Sequence, residues 1–371
     1  MSKPLVTTIA YGATWTHFYV PTSASTVQDI LLSFPDDELY ESHPHPYFGN
    51  TIGRVANRIA NGRLLDLNGK DYELSINEST DSFSNTLHGG NRGWSKQVWS
   101  GPVETVRGVW DQNIKNLDGN NEKKGIIYTL ANQDGDQGFP GTVRVQTFYF
   151  EGRGSKGEVV LEIEYEARLL DETVEATVIS MTNHAYFNLN GPVSNASNRE
   201  ERWNLASHTA SLSTSQSLVL ESGGSGIPVG SIDYHPSVPQ EPHKSFGLTG
   251  DDGETRAIDD CFVLPEYVEN QTSIAIDTRP QPLQDLATLK GDKTGIVLKV
   301  QSTEPAFQFY TGKFTDVGPY PGGQGYGAFS GLCVEPSRFV NAAGRQDWRS
   351  QVLLRKGEVF GARNRYWAWK E

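Results

Sequence analysis

The stretch LEIEYEAR, residues 161–168, decides the fold, because its side chains alternate strictly between apolar and charged. Its odd-numbered positions carry leucine, isoleucine, tyrosine and alanine, and its even-numbered positions carry three glutamates and an arginine. A period of two is typical of a β-strand with one face on a core. The same alternation returns in TVRVQTFYF at 142–150, SIAIDT at 273–278 and GIVLKVQS at 295–302.

The rest of the chain supports an all-β fold. Turn-forming segments such as NQDGDQGFPG (132–141) and ESGGSGIPVG (221–230) separate the alternating runs. No amphipathic pattern longer than about two helical turns is present. The 371 residues, 36% hydrophobic and 11% aromatic, can bury a large core. We therefore predict a large β-sandwich or barrel with few short helices. No segment resembles a linker, so residues 1–371 are predicted to form a single domain.

Charge and composition exclude several classes of protein. The formal net charge of −13 makes nucleic acid an improbable partner, because phosphate binding requires a basic face. No apolar run approaches the ~18 residues that a membrane helix needs, and the first residues do not resemble a secretion signal. The two cysteines form no metal-binding spacing. We predict a cytoplasmic protein with no membrane or nucleic-acid partner.

The stretch TNHAYFNL, residues 182–189, places polar groups where a buried strand should be apolar. We predict one strand from Thr173 to Leu189, whose even-numbered face changes from apolar to polar along its length. His184 and Tyr186 lie on the polar part of that face, which predicts that both side chains face a cavity. The alternative is a strand histidine that only satisfies a local hydrogen bond.

Three other segments combine reactive side chains with turn residues. As an alternative to a ligand-binding role, residues 48–62 can form a surface hairpin with solvated arginines. Residues 85–94 can likewise form a turn with an incidental histidine. In GLCVEPSRF (331–339) Glu335 follows an apolar run, so it is either paired structurally or made more basic for catalysis. Asp259 enters another strand, and Glu304, Gln308 and Tyr310 lie in TEPAFQFYTGKF (303–314). No calcium loop, zinc spacing or Gly-x-Ser-x-Gly motif occurs. Acids, histidines and aromatic rings suit a neutral polyhydroxylated ligand.

The motifs GNTIGRVANRIANG, NTLHGGNRGW, TNHAYFNL, IDDCFVL, EPAFQFYTGKF and GLCVEPSRF occur in the order seen in the aldose 1-epimerases, or galactose mutarotases. The chain resembles that family over most of its length. The resemblance implies a twisted antiparallel β-supersandwich. It implies His184 as general acid and Glu335 as general base, beside Tyr186. It further implies sugar contacts at Asn57, Arg58, His88, Asp259 and Glu304. Two positions depart from the common pattern: Asp260 replaces a histidine, and Ala185 replaces a serine.

The resemblance implies an isomerase that interconverts the α and β anomers of free aldohexoses such as galactose and glucose. This chemistry requires no cofactor and no metal, and the implied partner is a small free sugar. A monomer or a homodimer is expected. Two alternatives remain: a sugar-binding or regulatory protein without turnover, and a glycoside hydrolase. A hydrolase normally uses two carboxylates, which a histidine–glutamate pair does not match.

Overall fold

Strands dominate the structure. The computed structural model describes residues 4–43, 46–111, 113–171 and 173–371. Strands account for 45% and helices for 6%. The described residues contain three short α-helices, α1 (Asp37–Ser42), α2 (Arg199–Arg202) and α3 (Pro265–Val268). The predicted all-β class with few short helices is therefore confirmed. None of the helices in the described ranges has the length and apolar character needed to cross a bilayer.

The strands, numbered in chain order, have the following bounds: β1 (Val6–Ile9), β2 (Thr14–Pro21), β3 (Val27–Asp29), β4 (Thr51–Ile52), β5 (Arg58–Ala60), β6 (Arg63–Leu67), β7 (Lys70–Glu73), β8 (Glu78–Ser79), β9 (Ser84–Leu87), β10 (Ser100–Val109), β11 (Ile114–Lys115), β12 (Glu122–Asn132), β13 (Val143–Gly154), β14 (Val159–Leu169), β15 (Ala176–Val178), β16 (Thr182–Asn183), β17 (Tyr186–Phe187), β18 (His208–Leu212), β19 (Gln216–Leu220), β20 (Pro228–Tyr234), β21 (Phe246–Gly247), β22 (Asp259–Val263), β23 (Gln284–Gly291), β24 (Ile296–Ser302), β25 (Ala306–Tyr310), β26 (Leu332–Ser337), β27 (Leu353–Arg355) and β28 (Phe360–Lys370).

Two large antiparallel sheets form the sandwich. The larger follows the order β10-β12-β13-β14-β28-β24-β23-β18-β21, with β11 added beside β13. The smaller follows β17-β26-β25-β22-β19-β20. One apolar cluster joins them: Ile163 and Tyr165 of the larger sheet lie in the same buried group as Phe307 and Val334 of the smaller. The apolar alternation read from the sequence therefore faces the space between the sheets.

The charged face of residues 161–168 is also covered, which the alternating pattern does not reveal. Glu162 and Glu164 are buried. Lys123 forms ion pairs with both carboxylates, and Arg365 forms a further ion pair with Glu162. Because buried carboxylates need charged partners, this network lets β14 pack on both faces.

Two predictions about strands are wrong. Residues 273–278 form only a bridge at Asp277, which pairs with Gly361, rather than a strand. The predicted single strand from Thr173 to Leu189 is divided into β15, β16 and β17. These pieces pair with three different partners, β27, β4 and β26. The change of partner interrupts the ladder at His184 and leaves its side chain at a junction between sheets.

Candidate active site

A cavity of about 640 Å³ collects most of the predicted site residues. Seven of the eight line it: Asn57, Arg58, His88, His184, Tyr186, Asp259 and Glu335. A second cavity of about 760 Å³ lies beside β10 and β12, but no histidine occurs among the described residues that line it. The groups able to exchange protons near neutral pH therefore identify the smaller cavity as the candidate site.

His184 is held by backbone bonds on both sides and by a shell of aromatic rings. Its N–H donates to the carbonyl of Asn50 over 2.9 Å, and its carbonyl accepts from Gly49 N–H over 3.0 Å. The imidazole stacks on Tyr186, with ring centroids 5.1 Å apart, and meets the edge of His88 at 5.2 Å. Burial lowers the pKa of His184 to about 4. An isolated imidazole in this position is therefore neutral at pH 7.

Glu335 faces His184 from the smaller sheet. It lies on β26, opposite Gln308 of β25, with its side chain pointing away from the core that holds Val334. Its Oε1 is 3.7 Å from Nε2 of His184. Burial and the carboxyl group of Asp259 raise the pKa of Glu335 well above its usual value, and Arg58 opposes them. The carboxyl group therefore keeps a proton far more readily than an exposed glutamate does.

Asp259 forms part of a polar cluster at the start of β22. Its Oδ1 accepts a 2.7 Å hydrogen bond from Nε2 of Gln308. The amide oxygen of Gln308 is buried and has no hydrogen-bond partner, so Gln308 supports Asp259 from behind the cavity wall. Asp260, which replaces the common histidine, contacts Nε2 of His235 at 3.0 Å. An imidazole thus reaches this wall of the cavity from another part of the chain.

Arg58 is fixed by a two-pronged ion pair. Its Nε and one terminal nitrogen donate to the two carboxylate oxygens of Glu78, over 2.8 and 2.7 Å. Burial opposes the charge of Arg58, but the bonds to Glu78 outweigh it and raise the pKa of the guanidinium. Gly226 packs closely against this group, since a Cβ there would lie 2.8 Å from the guanidinium. Arg58 is therefore a permanent, oriented cation.

His88 and Asn57 are locked to each other through the backbone. The N–H of His88 donates to the carbonyl of Asn57 over 2.9 Å, and the N–H of Asn57 donates to Nδ1 of His88 over 3.3 Å. Nδ1 is an acceptor in this contact, so a neutral His88 carries its proton on Nε2. The following Gly89 allows the tight approach, because a Cβ would lie 2.2 Å from the carbonyl oxygen of Gly53.

Glu304 does not join the cavity, which corrects its prediction as a sugar contact. Its side chain is 1% exposed and lies 2.8 Å from Nε of Arg338. Oε2 of Glu304 and Nε of Arg338 have no hydrogen-bond partner, so the contact between them is ionic. Thr278 donates to the other carboxylate oxygen. The residue precedes β25, and its charge is used within the core of the protein.

Gln308, unlike Glu304, lies directly beside the site, because it bonds to Asp259 and pairs with Glu335. A usable signal was present: Gln308 alternates with Phe307 and Phe309, which both lie in the main apolar cluster. A polar residue between two core aromatics must face the opposite side of β25. Tyr47 and Glu78 also line the cavity and were missed because each comes from a loop or a very short strand.

One group of described residues could hold a metal ion. Ligand atoms of His184, Cys333 and Glu335 lie within 4.8 Å of one another, and all three residues are buried. Nitrogen, sulfur and oxygen donors together suit zinc better than magnesium or calcium. The group coincides with the candidate acid–base pair, so a metal there competes with proton transfer.

Two solved structures share the fold. The GalM/aldose epimerase homologue from C. elegans is 22% identical, with a TM-score of 0.73, over 98% of this chain and 95% of that chain. Galactose 1-epimerase from Lactobacillus acidophilus is 19% identical, with a TM-score of 0.66, over 98% and 90%. The class of protein is thus a galactose mutarotase-like β-supersandwich with a histidine and a carboxylate in its cavity.

Sequence comparison then identifies the family. The profile of the family described as aldose 1-epimerase matches residues 3–367. The chain is 30% identical to galactose mutarotase of Sus scrofa over 364 residues, 95% of this chain and 87% of that protein. It is 31% identical to the bifunctional protein gal10 of Schizosaccharomyces pombe over 345 residues, 91% of this chain but 41% of that protein. The chain belongs to the aldose 1-epimerase family, a family of isomerases.

Proposed function

We propose that this protein is an aldose 1-epimerase that interconverts the α and β anomers of free aldohexoses, with galactose and glucose as its substrates. His184 acts as the general acid and Glu335 as the general base. The observation that carries the proposal is the buried pair itself. Two proton-exchanging atoms face each other at 3.7 Å across the wall of a polar cavity.

Mutarotation needs two proton transfers. Ring opening removes a proton from the anomeric hydroxyl and delivers one to the ring oxygen, and reclosure reverses both transfers after rotation about the C1–C2 bond. With Glu335 facing the anomeric oxygen and Nε2 of His184 facing the ring oxygen, each atom serves in both directions. A positioned proton transfer contributes roughly 10²- to 10⁴-fold to the rate.

Ring opening changes the charges of the pair in the direction that burial favours. The reactive state before opening is an imidazolium with a carboxylate. Opening passes one proton from His184 to the sugar and one from the sugar to Glu335, which leaves both groups neutral. Because burial lowers the pKa of His184 and raises that of Glu335, the neutral pair is the one that the site favours. Opening therefore discharges a buried ion pair.

The remaining groups of the cavity suit a neutral sugar. Asp259 can accept from hydroxyl groups, whereas Arg58 donates to sugar oxygens. Tyr186 and Tyr310 offer aromatic faces to the C–H side of a sugar ring. We propose that His88, whose Nε2 carries the proton, supports charge that develops on the ring oxygen.

We further propose that the chain acts as a single domain in the cytoplasm, as a monomer or homodimer, without a cofactor. The competing functions are a sugar-binding protein without turnover and a glycoside hydrolase. The first does not require an acid paired with a base, and the second would need two carboxylates about 5 Å or more apart on either side of a glycosidic bond. The pairing of His184 with Glu335 favours the epimerase.

The test is to measure, on one preparation, mutarotation of freshly dissolved α-galactose and α-glucose by polarimetry, together with cleavage of aryl glycosides. We expect mutarotation well above the spontaneous rate and no cleavage. Sugar binding without either activity would support the binding protein instead, and cleavage would support the hydrolase.

A further inference from the structure

The two ring nitrogens of His184 face different partners. Nε2 faces Oε1 of Glu335 at 3.7 Å, and Nδ1 faces Sγ of Cys333 at 3.6 Å. Cys333 and Glu335 are two residues apart on β26, so both side chains project from the same face of that strand. The strand therefore presents a carboxyl group to one nitrogen of the imidazole and a thiol to the other.

The thiol is part of the buried framework and not of the cavity lining. Cys333 is 0% exposed, and it pairs directly with Tyr186, the residue two positions beyond His184. Burial and the nearby Glu335 raise the pKa of Cys333 well above its usual value. A thiol can donate through S–H or accept at sulfur, and the 3.6 Å contact with Nδ1 fits an acceptor role for the sulfur when Nδ1 carries the proton.

The proposed reaction places a strict demand on Nδ1. Nε2 must give up its proton during ring opening and must recover it during reclosure. In the open-chain state His184 is neutral, and its one remaining proton has to stay on Nδ1. If that proton moved to Nε2, the nitrogen that faces the ring oxygen could no longer accept, and the ring could not close by this route. An acceptor beside Nδ1 prevents that shift.

We propose that Cys333 is the positioning residue for His184: its sulfur accepts from Nδ1–H and keeps Nε2 as the nitrogen that exchanges protons. This inference rests on the proposed epimerase function. A contact with its own backbone raises the pKa of His184, but burial has the larger, opposite effect.

A thiol in this position adds no negative charge beside Nδ1. A carboxylate beside Nδ1 stabilises an imidazolium, which would make the proton on Nε2 harder to release to the ring oxygen. A neutral sulfur orients the ring without supplying charge. The other titratable groups in contact with the imidazole are the rings of Tyr47, Tyr186 and His88, and Glu335 is the acidic side chain within ion-pair distance.

Nitrogen-15 NMR of protein labelled at histidine tests the proposal directly. The chain has eight histidines, and the resonances that disappear in His184→Asn identify the relevant pair. At pH 7 we expect Nδ1 of His184 to carry the proton and Nε2 to be unprotonated. Cys333→Ala should shift both resonances toward the opposite tautomer, and Cys333→Ser, which keeps an acceptor, should restore the wild-type pattern.

Cys261→Ala is the matched control, since Cys261 is the other free, buried cysteine and belongs to a different apolar cluster from Cys333. It should leave the tautomer of His184 unchanged. We expect kcat to fall roughly 10- to 100-fold in Cys333→Ala, the usual effect of losing a partner that orients a functional histidine. KM should change little, and Cys333→Ser should recover most of the rate.

Two results would overturn the role of Cys333. One is a wild-type His184 protonated at Nε2 at pH 7. The other is a Cys333→Ala variant whose histidine resonances and kcat match those of the wild type. A wild-type protein without mutarotase activity would instead overturn the proposed function, and the tautomer measurement would still decide whether Cys333 orients His184.

Discussion

Nε2 of His184 lies 3.7 Å from Oε1 of Glu335, and the two groups are displaced in opposite directions from their ordinary acidities. The histidine loses its proton more readily than usual, and the glutamate holds its proton more firmly. Both displacements are caused chiefly by burial, which penalises either charge. Burial therefore disfavours the charged form of both groups, so the site favours a neutral imidazole beside a neutral carboxyl group.

Replacing two buried glutamates by glutamine should separate catalysis from stability. Glu335→Gln removes the base and should lower kcat about 10²- to 10⁴-fold while the protein stays folded. Glu304→Gln leaves Arg338 buried without its counter-charge and should lower the free energy of unfolding by about 3 to 5 kcal/mol, with near-normal kcat in the folded fraction. Polarimetry and urea unfolding of both variants measure this. If Glu304→Gln instead lowers kcat and Glu335→Gln instead lowers the free energy of unfolding, Glu304 belongs to the sugar site.

The pH dependence of kcat/KM should be bell-shaped with an unusually wide plateau. Below about pH 4 His184 is protonated in addition to Glu335, so no base remains and the rate falls. Above the raised pKa of Glu335 neither group carries a proton, so no acid remains. The alkaline limit lies well above the usual range of a glutamate, because burial raises the pKa of Glu335. A rate that drops from pH 7 to pH 5, as expected for an ordinary histidine with a pKa near 6.5, would contradict the account.

Metal removal should not affect activity, whereas added zinc should inhibit. Exhaustive chelation is expected to leave kcat unchanged, because the proposed proton transfers need no metal. Zinc can bind the nitrogen, sulfur and oxygen donors of His184, Cys333 and Glu335. Bound zinc would prevent proton transfer by His184 and Glu335. Cys333→Ala should weaken this inhibition. Loss of activity on chelation that a divalent ion restores would show that the protein depends on a metal.

The preferred substrate should be an uncharged aldose and not a sugar phosphate. The described cavity lining has two cations, Arg58 and Lys313, and Arg58 is committed to Glu78. Four carboxyl groups share the lining: Glu78, Asp259, Asp260 and Glu335. Arg54 is buried and donates to the carbonyls of Pro140 and Gly141, so it is not available to a ligand.

That preference is measured as kcat/KM for α-galactose, α-glucose and α-glucose 6-phosphate at two ionic strengths. The free sugars should be favoured at both, and the penalty on the phosphate should shrink as salt rises, because screening weakens repulsion. A preference for the phosphate that weakens with added salt would contradict the neutral-sugar proposal.

The sequence predicted which side chains face the cavity more reliably than it predicted where the strands begin and end. Alternation in residues 182–189 correctly directed His184 and Tyr186 to the cavity and Ala185 to the core, so the side chain of Ala185 lies outside the cavity lining. The same alternation could not show that the strand breaks into three pieces, because side-chain period carries no information about which partner each piece pairs with.

Buried charge was the second feature that the sequence pattern did not predict. An exposed and a buried glutamate look the same in a strand pattern, so the ion pairs of Glu162, Glu164 and Glu304 were not predicted. Their partners Lys123 and Arg338 lie tens of positions away along the chain, and only the folded structure brings them into contact. A polar residue between core aromatics, as at Gln308, is the pattern that sequence reasoning can use.

We propose that His184 and Glu335 act together, as acid and base, in the same proton-transfer step. The most direct test is the kcat of His184→Asn, Glu335→Gln and the double variant in one polarimetric mutarotation assay. Residues that act as a unit show strongly non-additive effects, so the double variant should be no more than about threefold slower than the slower single variant. If the two reductions in kcat instead multiply in the double variant, the residues contribute independently and do not act as an acid–base pair.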